Sequence, residues 1–156
     1  MVDAEGGAML QPGDDAPDFS APAQDGKPLR LSSLRGKKVL LWFYPQAGTP
    51  GCTAEGCGLR DNYGYYEENN VAVVGVSFDP VEDNAAFAAK YGFPFALLSD
   101  TGRAIGLAYG ACDSSSARYA ERVSYVIDEQ GKIIRVYPQV DPRVHAAEVL
   151  ADLLGQ

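Results

Sequence analysis

The stretch Val39-Leu40-Leu41-Trp42-Phe43-Tyr44, continued by Pro45-Gln46-Ala47-Gly48-Thr49-Pro50-Gly51-Cys52, decides how this chain is read. Six consecutive apolar residues with β-branched and aromatic members predict a strand covered on both faces. Pro45 ends the run. Thr49 then suits a helix N-cap, and Pro50 suits the first helical position, where its missing N–H costs nothing. A core strand that turns into a capped helix puts Cys52 in the first helical turn. There its sulfur can face free backbone N–H groups and the positive end of the helix dipole. Those are the surroundings of a reactive cysteine, whereas a lone Cys elsewhere reads as a small buried hydrophobe.

Outward from this segment, apolar runs at 71–78 and 95–98 predict two further strands. Residues 123–127 and 133–137 form a pair separated by Asp128-Glu129-Gln130-Gly131, a hairpin turn signal. Helical patterns fill the intervals at about 50–68, 81–91, 101–109 and 142–154. Gly92 is a typical residue just past a helix end. Strand–helix alternation followed by a hairpin and a last helix predicts an α/β fold with a central mixed sheet flanked by helices. A thioredoxin-like layout is compatible with that order. Residues 1–12 read as a flexible N-terminal arm and 13–156 as one domain.

The chain has 156 residues, 46% apolar and 22% charged, enough for one domain with its own core. Its formal net charge is −8 and no Lys/Arg cluster stands out, which argues against nucleic acid or an anionic membrane as partner. No run approaches the roughly 18 apolar residues of a membrane span, and the acidic start lacks the features of a secretory signal. A cytoplasmic location is the expectation.

Three cysteines occur, Cys52, Cys57 and Cys112. An odd count without a secretory signal does not suggest a disulfide framework. Cys57 is either a second core cysteine or a thiol that condenses with an oxidised Cys52. In an intact helix, residues five apart have Cα atoms about 8.6 Å apart. A disulfide needs roughly 7 Å or less. Pairing them therefore requires the helix to unwind. Gly56, Gly58 and Gly64 lie nearby, and each costs roughly 1 kcal/mol relative to Ala in a helix interior. Cys112, in Ala111-Cys112-Asp113-Ser114-Ser115-Ser116, reads as a surface thiol in a loop.

Pro45…Thr49…Cys52 resembles the P-x-x-x-T-x-x-C motif of peroxiredoxins. The run Thr49-Pro50-Gly51-Cys52-Thr53-Ala54-Glu55-Gly56-Cys57 is similar to that of the bacterioferritin comigratory protein (PrxQ) subfamily. The likeness extends along the chain, through 13–19, Leu34-Arg35-Gly36-Lys37, Gly75-Val76-Ser77-Phe78-Asp79, 94–100 and 122–128. It implies a thioredoxin-like fold and a thiol-dependent peroxidase of the atypical 2-Cys type. Hydrogen peroxide and organic hydroperoxides would be its substrates. Cys52 would be the peroxidatic and Cys57 the resolving cysteine, joined in an intramolecular disulfide that a thioredoxin-like dithiol reduces. Thr49 would hydrogen-bond the peroxide and the sulfur, and Pro45 would shape and shield the pocket. Arg122 would favour the thiolate and stabilise charge developing on the peroxide oxygens, and Glu55 would orient an Arg in the site. No cofactor or metal is implied, and a monomer is expected rather than a dimer.

Each residue also has a plainer reading. Thr49 can be a simple N-cap, Pro45 a strand terminator, Arg122 a surface charge and Glu55 a solvent-facing acid in an early helical turn. A disulfide reductase is the nearest competitor, but Cys-x₄-Cys is not its usual Cys-x-x-Cys. A metal site from Cys52, Cys57, Cys112 and His145 lacks the usual ligand spacing, and His145 reads as a helix-surface residue. A non-enzymatic redox sensor would begin with the same sulfenic acid.

Overall fold

The computed structural model describes residues 9–155. From the N-terminus the elements are β1 (Ser20–Pro22), β2 (Pro28–Arg30), a 3-10 turn (Leu31–Leu34), β3 (Lys38–Phe43), α1 (Pro50–Asp61), α2 (Tyr63–Glu68) and β4 (Val71–Ser77). Then come α3 (Val81–Tyr91), β5 (Ala96–Ser99), α4 (Ala104–Ala108), β6 (Ser124–Ile127), β7 (Ile133–Tyr137) and α5 (His145–Leu154). Five strands form one sheet in the order β5-β4-β3-β6-β7. The pairs β3–β4 and β4–β5 are parallel, while β3–β6 and β6–β7 are antiparallel. The sheet is thus mixed and flanked by helices, as the strand and helix order predicts.

Alternation along β3 explains its unbroken apolar run. Side chains on a strand point to opposite faces in turn, so a strand covered on both sides is apolar throughout. Val39, Leu41 and Phe43 join one core cluster, together with Val76, Leu98, Tyr109 and Tyr125. Leu40, Trp42 and the following Tyr44 join a second cluster with Cys52, Phe87, Phe93, Phe95 and Val149. The helix carrying Cys52 therefore lies on the second face.

Several boundaries differ from the sequence expectation. The helix expected over 50–68 is divided at Asn62, whose φ is −102° and ψ 6°, and whose side-chain amide donates to the Gly58 carbonyl (2.8 Å). Strands β1 and β2 are three residues each and rich in proline, too short for a periodic signal. The helix expected over 101–109 is only Ala104–Ala108. It starts after Arg103 in the left-handed region (φ 66°). The helix Val81–Tyr91 ends as predicted, with Gly92 at φ 66°, ψ 41°. The hairpin turn is also as read: Gly131 has φ 89°, and Asp128 N–H donates to the Lys132 carbonyl (2.7 Å).

Most of the expected N-terminal arm, residues 1–8, lies outside the described residues. Met9 and Leu10, assigned to the same arm, pack on the first core cluster, and Leu10 N–H donates to the Tyr125 hydroxyl (3.2 Å). Among the described residues no helix is long and apolar enough to cross a membrane.

Candidate active site

Three glycines in twelve residues make α1 a poor helix by propensity. Its packing compensates. Cys52, Glu55, Gly56 and Leu59 are buried, the i, i+3, i+4, i+7 spacing of a helix with one face on the core. Gly56 is needed there, because a Cβ at this position would stand 2.5 Å from Phe93 Cζ. Gly58 differs: a Cβ there would meet only the Ala146 Cβ, at 3.6 Å, an ordinary contact. Both glycines weaken the helix by propensity, but only Gly58 has room for a side chain; at Gly56 the missing side chain makes room for an aromatic ring.

Cys52 is fully buried in the first turn of α1. The first intrahelical bond runs from Thr53 N–H to the Thr49 carbonyl (2.8 Å). The N–H groups of Gly51 and Cys52 precede it, at the positive end of the dipole. Thr49 takes the N-cap position with extended backbone (φ −75°, ψ 156°), but its hydroxyl does not cap the helix. It reaches back and donates to the Gln46 carbonyl (2.8 Å). With its proton so engaged, the Thr49 oxygen offers lone pairs rather than a donor. Pro45 is half-buried one residue beyond the fully buried Tyr44.

Arg122 reaches this helix from the residue pair before β6. The backbone there is fixed by Phe43 N–H donating to the Val123 carbonyl (2.9 Å). Val123, Tyr125 and Ile127 belong to the first core cluster and Val126 to the second, so alternation sends Arg122 to the face of Cys52. Its guanidinium forks. Nη2 donates to Cys52 Sγ (3.4 Å) and Nη1 donates to Glu55 Oε1 (2.8 Å). Gly51 leaves space for it, since a Cβ there would come within 2.9 Å of Nη2.

Glu55 is not the solvent-facing acid of its plainer reading. It is 1% exposed, and Oε2 is buried without a hydrogen-bond partner. Burial pushes its carboxyl up to about 7, against the opposing pull of Arg122. Cys57 lies in the same helix, half-buried, and all three cysteines are free. A continuous α1 keeps Cys52 and Cys57 apart, as helical geometry requires.

Two side chains depart from their sequence reading. Cys112 is not a surface thiol: it is 6% exposed and belongs to the first core cluster, on the opposite face of the sheet from Cys52. His145 is not a helix-surface residue either. It is fully buried, with Nε2 2.9 Å from Ser124 Oγ and Nδ1 3.2 Å from Glu148 Oε1. Burial lowers its pKa, and the Glu148 contact opposes that. The sheet separates Cys112 from the other three residues of the supposed metal site. Sequence reasoning used Asp79 only as a landmark. In the structure its carboxylate holds the loop before Cys52, through Ala47 N–H (2.8 Å). The available signal was the polar pair Ser77-x-Asp79 at the end of a buried strand.

The geometry has close counterparts among known proteins. Residues 12–136 match the AhpC/TSA family. A putative peroxiredoxin bcp of Coxiella burnetii is 40% identical over 149 residues, covering 92% of this chain and 99% of that protein. The crystal structure of peroxidoxin BcpB from Mycobacterium tuberculosis superposes with a TM-score of 0.86 at 36% identity, covering 94% and 97% of the two chains. The bacterioferritin comigratory protein of Xanthomonas campestris, studied for its alkyl peroxide reduction activity through trapped intermediate and ligand complexes, gives 0.82 at 27% identity over 88% and 90%.

Proposed function

The chain belongs to the AhpC/TSA family and is a thiol peroxidase of the Bcp/PrxQ type, and on that footing we propose that Cys52 is its peroxidatic and Cys57 its resolving residue. One observation carries the first assignment: the Arg122 fork, which joins Cys52 Sγ to the buried Glu55. A fixed cation beside the sulfur is in place for the charge that develops on the peroxide oxygens. Because Arg is charged at any working pH, it serves without a protonation step of its own.

In the first step the Cys52 thiolate attacks the terminal oxygen of R–O–O–H. An S–O bond forms, the O–O bond breaks, and the leaving RO⁻ takes up a proton to become water or an alcohol. The product on the enzyme is Cys52 sulfenic acid. Thr49 accepts the peroxide O–H, Arg122 stabilises the departing oxygen, and Pro45 shields the loop side of the pocket. In the second step α1 unwinds, and the Cys57 sulfur attacks the sulfenic sulfur, releasing water and leaving a Cys52–Cys57 disulfide. A thioredoxin-like dithiol then reduces that bond by two exchanges and is itself oxidised. The alkyl peroxide work on the Xanthomonas protein supports organic hydroperoxides beside hydrogen peroxide as substrates. A monomer in the cytoplasm, where such dithiols are kept reduced, completes the reading.

Mass analysis after one equivalent of peroxide, with alkylation and digestion, tests it. A Cys52–Cys57 cross-link is expected in the wild type. C52S should show no oxidation, and C57S should stop at the sulfenic acid without dithiol-driven recycling. A C57S protein that recycled normally would remove Cys57 from the reaction.

A further inference from the structure

The segment Gln46-Ala47-Gly48-Thr49 is a tight turn. Thr49 N–H approaches the Gln46 carbonyl (3.4 Å) and Gly48 has φ 82°, the left-handed value of the third residue in a type II turn. One side of the turn is open, bordering a cleft of about 270 Å³ that Gln46, Ala47, Gly48 and Asp79 help to line. Its position therefore depends on a tether from the body of the protein, and that tether is Asp79. A single carboxylate oxygen, Oδ2, accepts both Ala47 N–H (2.8 Å) and Ser77 Oγ–H (2.8 Å). Behind it, Asn84 Nδ2 donates to Ser77 Oγ (3.2 Å) and Ser99 Oγ (3.0 Å), and Tyr44 hydroxyl donates to Asn84 Oδ1 (2.6 Å). Asn84, Ser77 and Tyr44 are fully buried, so this network fixes Asp79 from the ends of β4 and β5 and from α3.

The N–H of Ala47 and the C=O of Gln46 are two ends of one planar peptide group. Asp79 holds the first end. The second end receives the Thr49 hydroxyl proton (2.8 Å). The chain runs from carboxylate to N–H, through the peptide to C=O, and on to the O–H of Thr49. Hydrogen bonds in such a series polarise one another in the same sense.

We propose that Asp79 is a positioning residue for peroxide reduction: by pinning and polarising the Gln46–Ala47 peptide, it turns the Thr49 hydroxyl proton away from the pocket and leaves the oxygen lone pairs to receive the peroxide O–H. This rests on the reading of Thr49 as the group that meets the peroxide.

The test measures Cys52 oxidation by hydrogen peroxide in stopped flow for D79A, T49V and the double variant. D79A should slow oxidation roughly tenfold, the size of one lost hydrogen bond to a charged group. The double variant should be no slower than T49V. Alkylation of Cys52 by iodoacetamide, which brings no peroxide O–H, should stay at the wild-type rate in D79A. Full additivity of the two losses, or an equal loss in alkylation, would overturn the proposal. A T49V protein as fast as wild type would instead overturn the reading of Thr49 on which it stands. A47P provides a second route that leaves the buried network intact. Proline suits the second residue of a type II turn and deletes the N–H that Asp79 accepts. It should slow oxidation as D79A does, and a wild-type rate in A47P would also overturn the proposal.

Discussion

Cys52 and Cys112 are both buried, 0% and 6% exposed, and they lie on opposite faces of the same sheet. Burial therefore does not by itself distinguish the two sulfurs. The neighbours do. Cys52 has a guanidinium nitrogen at 3.4 Å and stands in the first turn of a twelve-residue helix. Cys112 is wedged where a Cβ on Gly106 would come within 3.1 Å of its sulfur. Burial pushes its thiol up, and the Ser114 N–H and the Arg103 charge only partly oppose it. One sulfur thus stands beside a fixed cation at a helix start, and the other fills a core.

Removing the cation should erase that contrast most completely. In R122M the sulfur loses its charged donor, and kcat/KM for hydrogen peroxide should fall by about 10² to 10³, the cost of losing a preorganised donor in a water-excluded site. Pre-steady-state peroxide consumption measures it. A loss of less than about threefold, well below that range, would show that the helix start alone activates Cys52.

Glu55 offers the next handle, because the same cation serves this carboxyl. A buried acid whose pKa is raised from 4.5 to about 7 holds its proton more tightly in the folded chain than in the unfolded one. Its contribution to stability is therefore fully present below the unfolded value and is lost as pH rises through 7. The loss is on the order of 3 kcal/mol. E55Q cannot ionise, so its urea midpoint should gain on the wild type between about pH 5 and about pH 8, and an unchanging difference would show that Arg122 fully compensates the buried charge.

This pair also marks where the sequence was informative and where it was not. The five strands of the main sheet, the helix start at Pro50 and the end of α3 at Gly92 were legible, because periodicity, proline and glycine act locally, whereas β1 and β2 were too short to show a period. The alternation that turns Arg122 toward Cys52 was present as well, in Val123, Tyr125 and Ile127. The burial of Glu55 was not legible, since an acid in an early helical turn is usually exposed and only the contact with Arg122 offsets its burial. Thr49 shows the same limit: a good N-cap residue used its hydroxyl elsewhere because Asp79 had fixed the neighbouring peptide. His145 and Cys112 were misplaced for a related reason, as their polarity and loop context outweighed the tertiary packing that buries them.

A smaller effect tests the helix rather than the sulfur. Gly58 has room for a methyl group against Ala146, so G58A should strengthen α1 without strain. Replacing Gly by Ala in a helix interior is worth roughly 1 kcal/mol, about a fivefold change in an opening equilibrium. Formation of the Cys52–Cys57 disulfide should slow by that factor, while the first oxidation keeps its rate. Rapid quench with alkylation resolves the two steps. Equal slowing of both would place the effect at the Arg122 site instead of in helix opening.

The least effect is expected at the second cysteine itself. C112A removes one buried sulfur atom and should cost about 1 kcal/mol of stability, as small core truncations do. Peroxide turnover with a dithiol reductant should remain at the wild-type rate, because the five-stranded sheet stands between Cys112 and the site. To reach an oxidised Cys52, Cys112 would have to leave its packing against Gly106 and pass the edge of that sheet. The Cys57 route asks only for the opening of helical turns already weakened by glycine. A loss of recycling in C112A would mean that the larger rearrangement occurs, and the contrast between the two faces would then describe the resting enzyme alone.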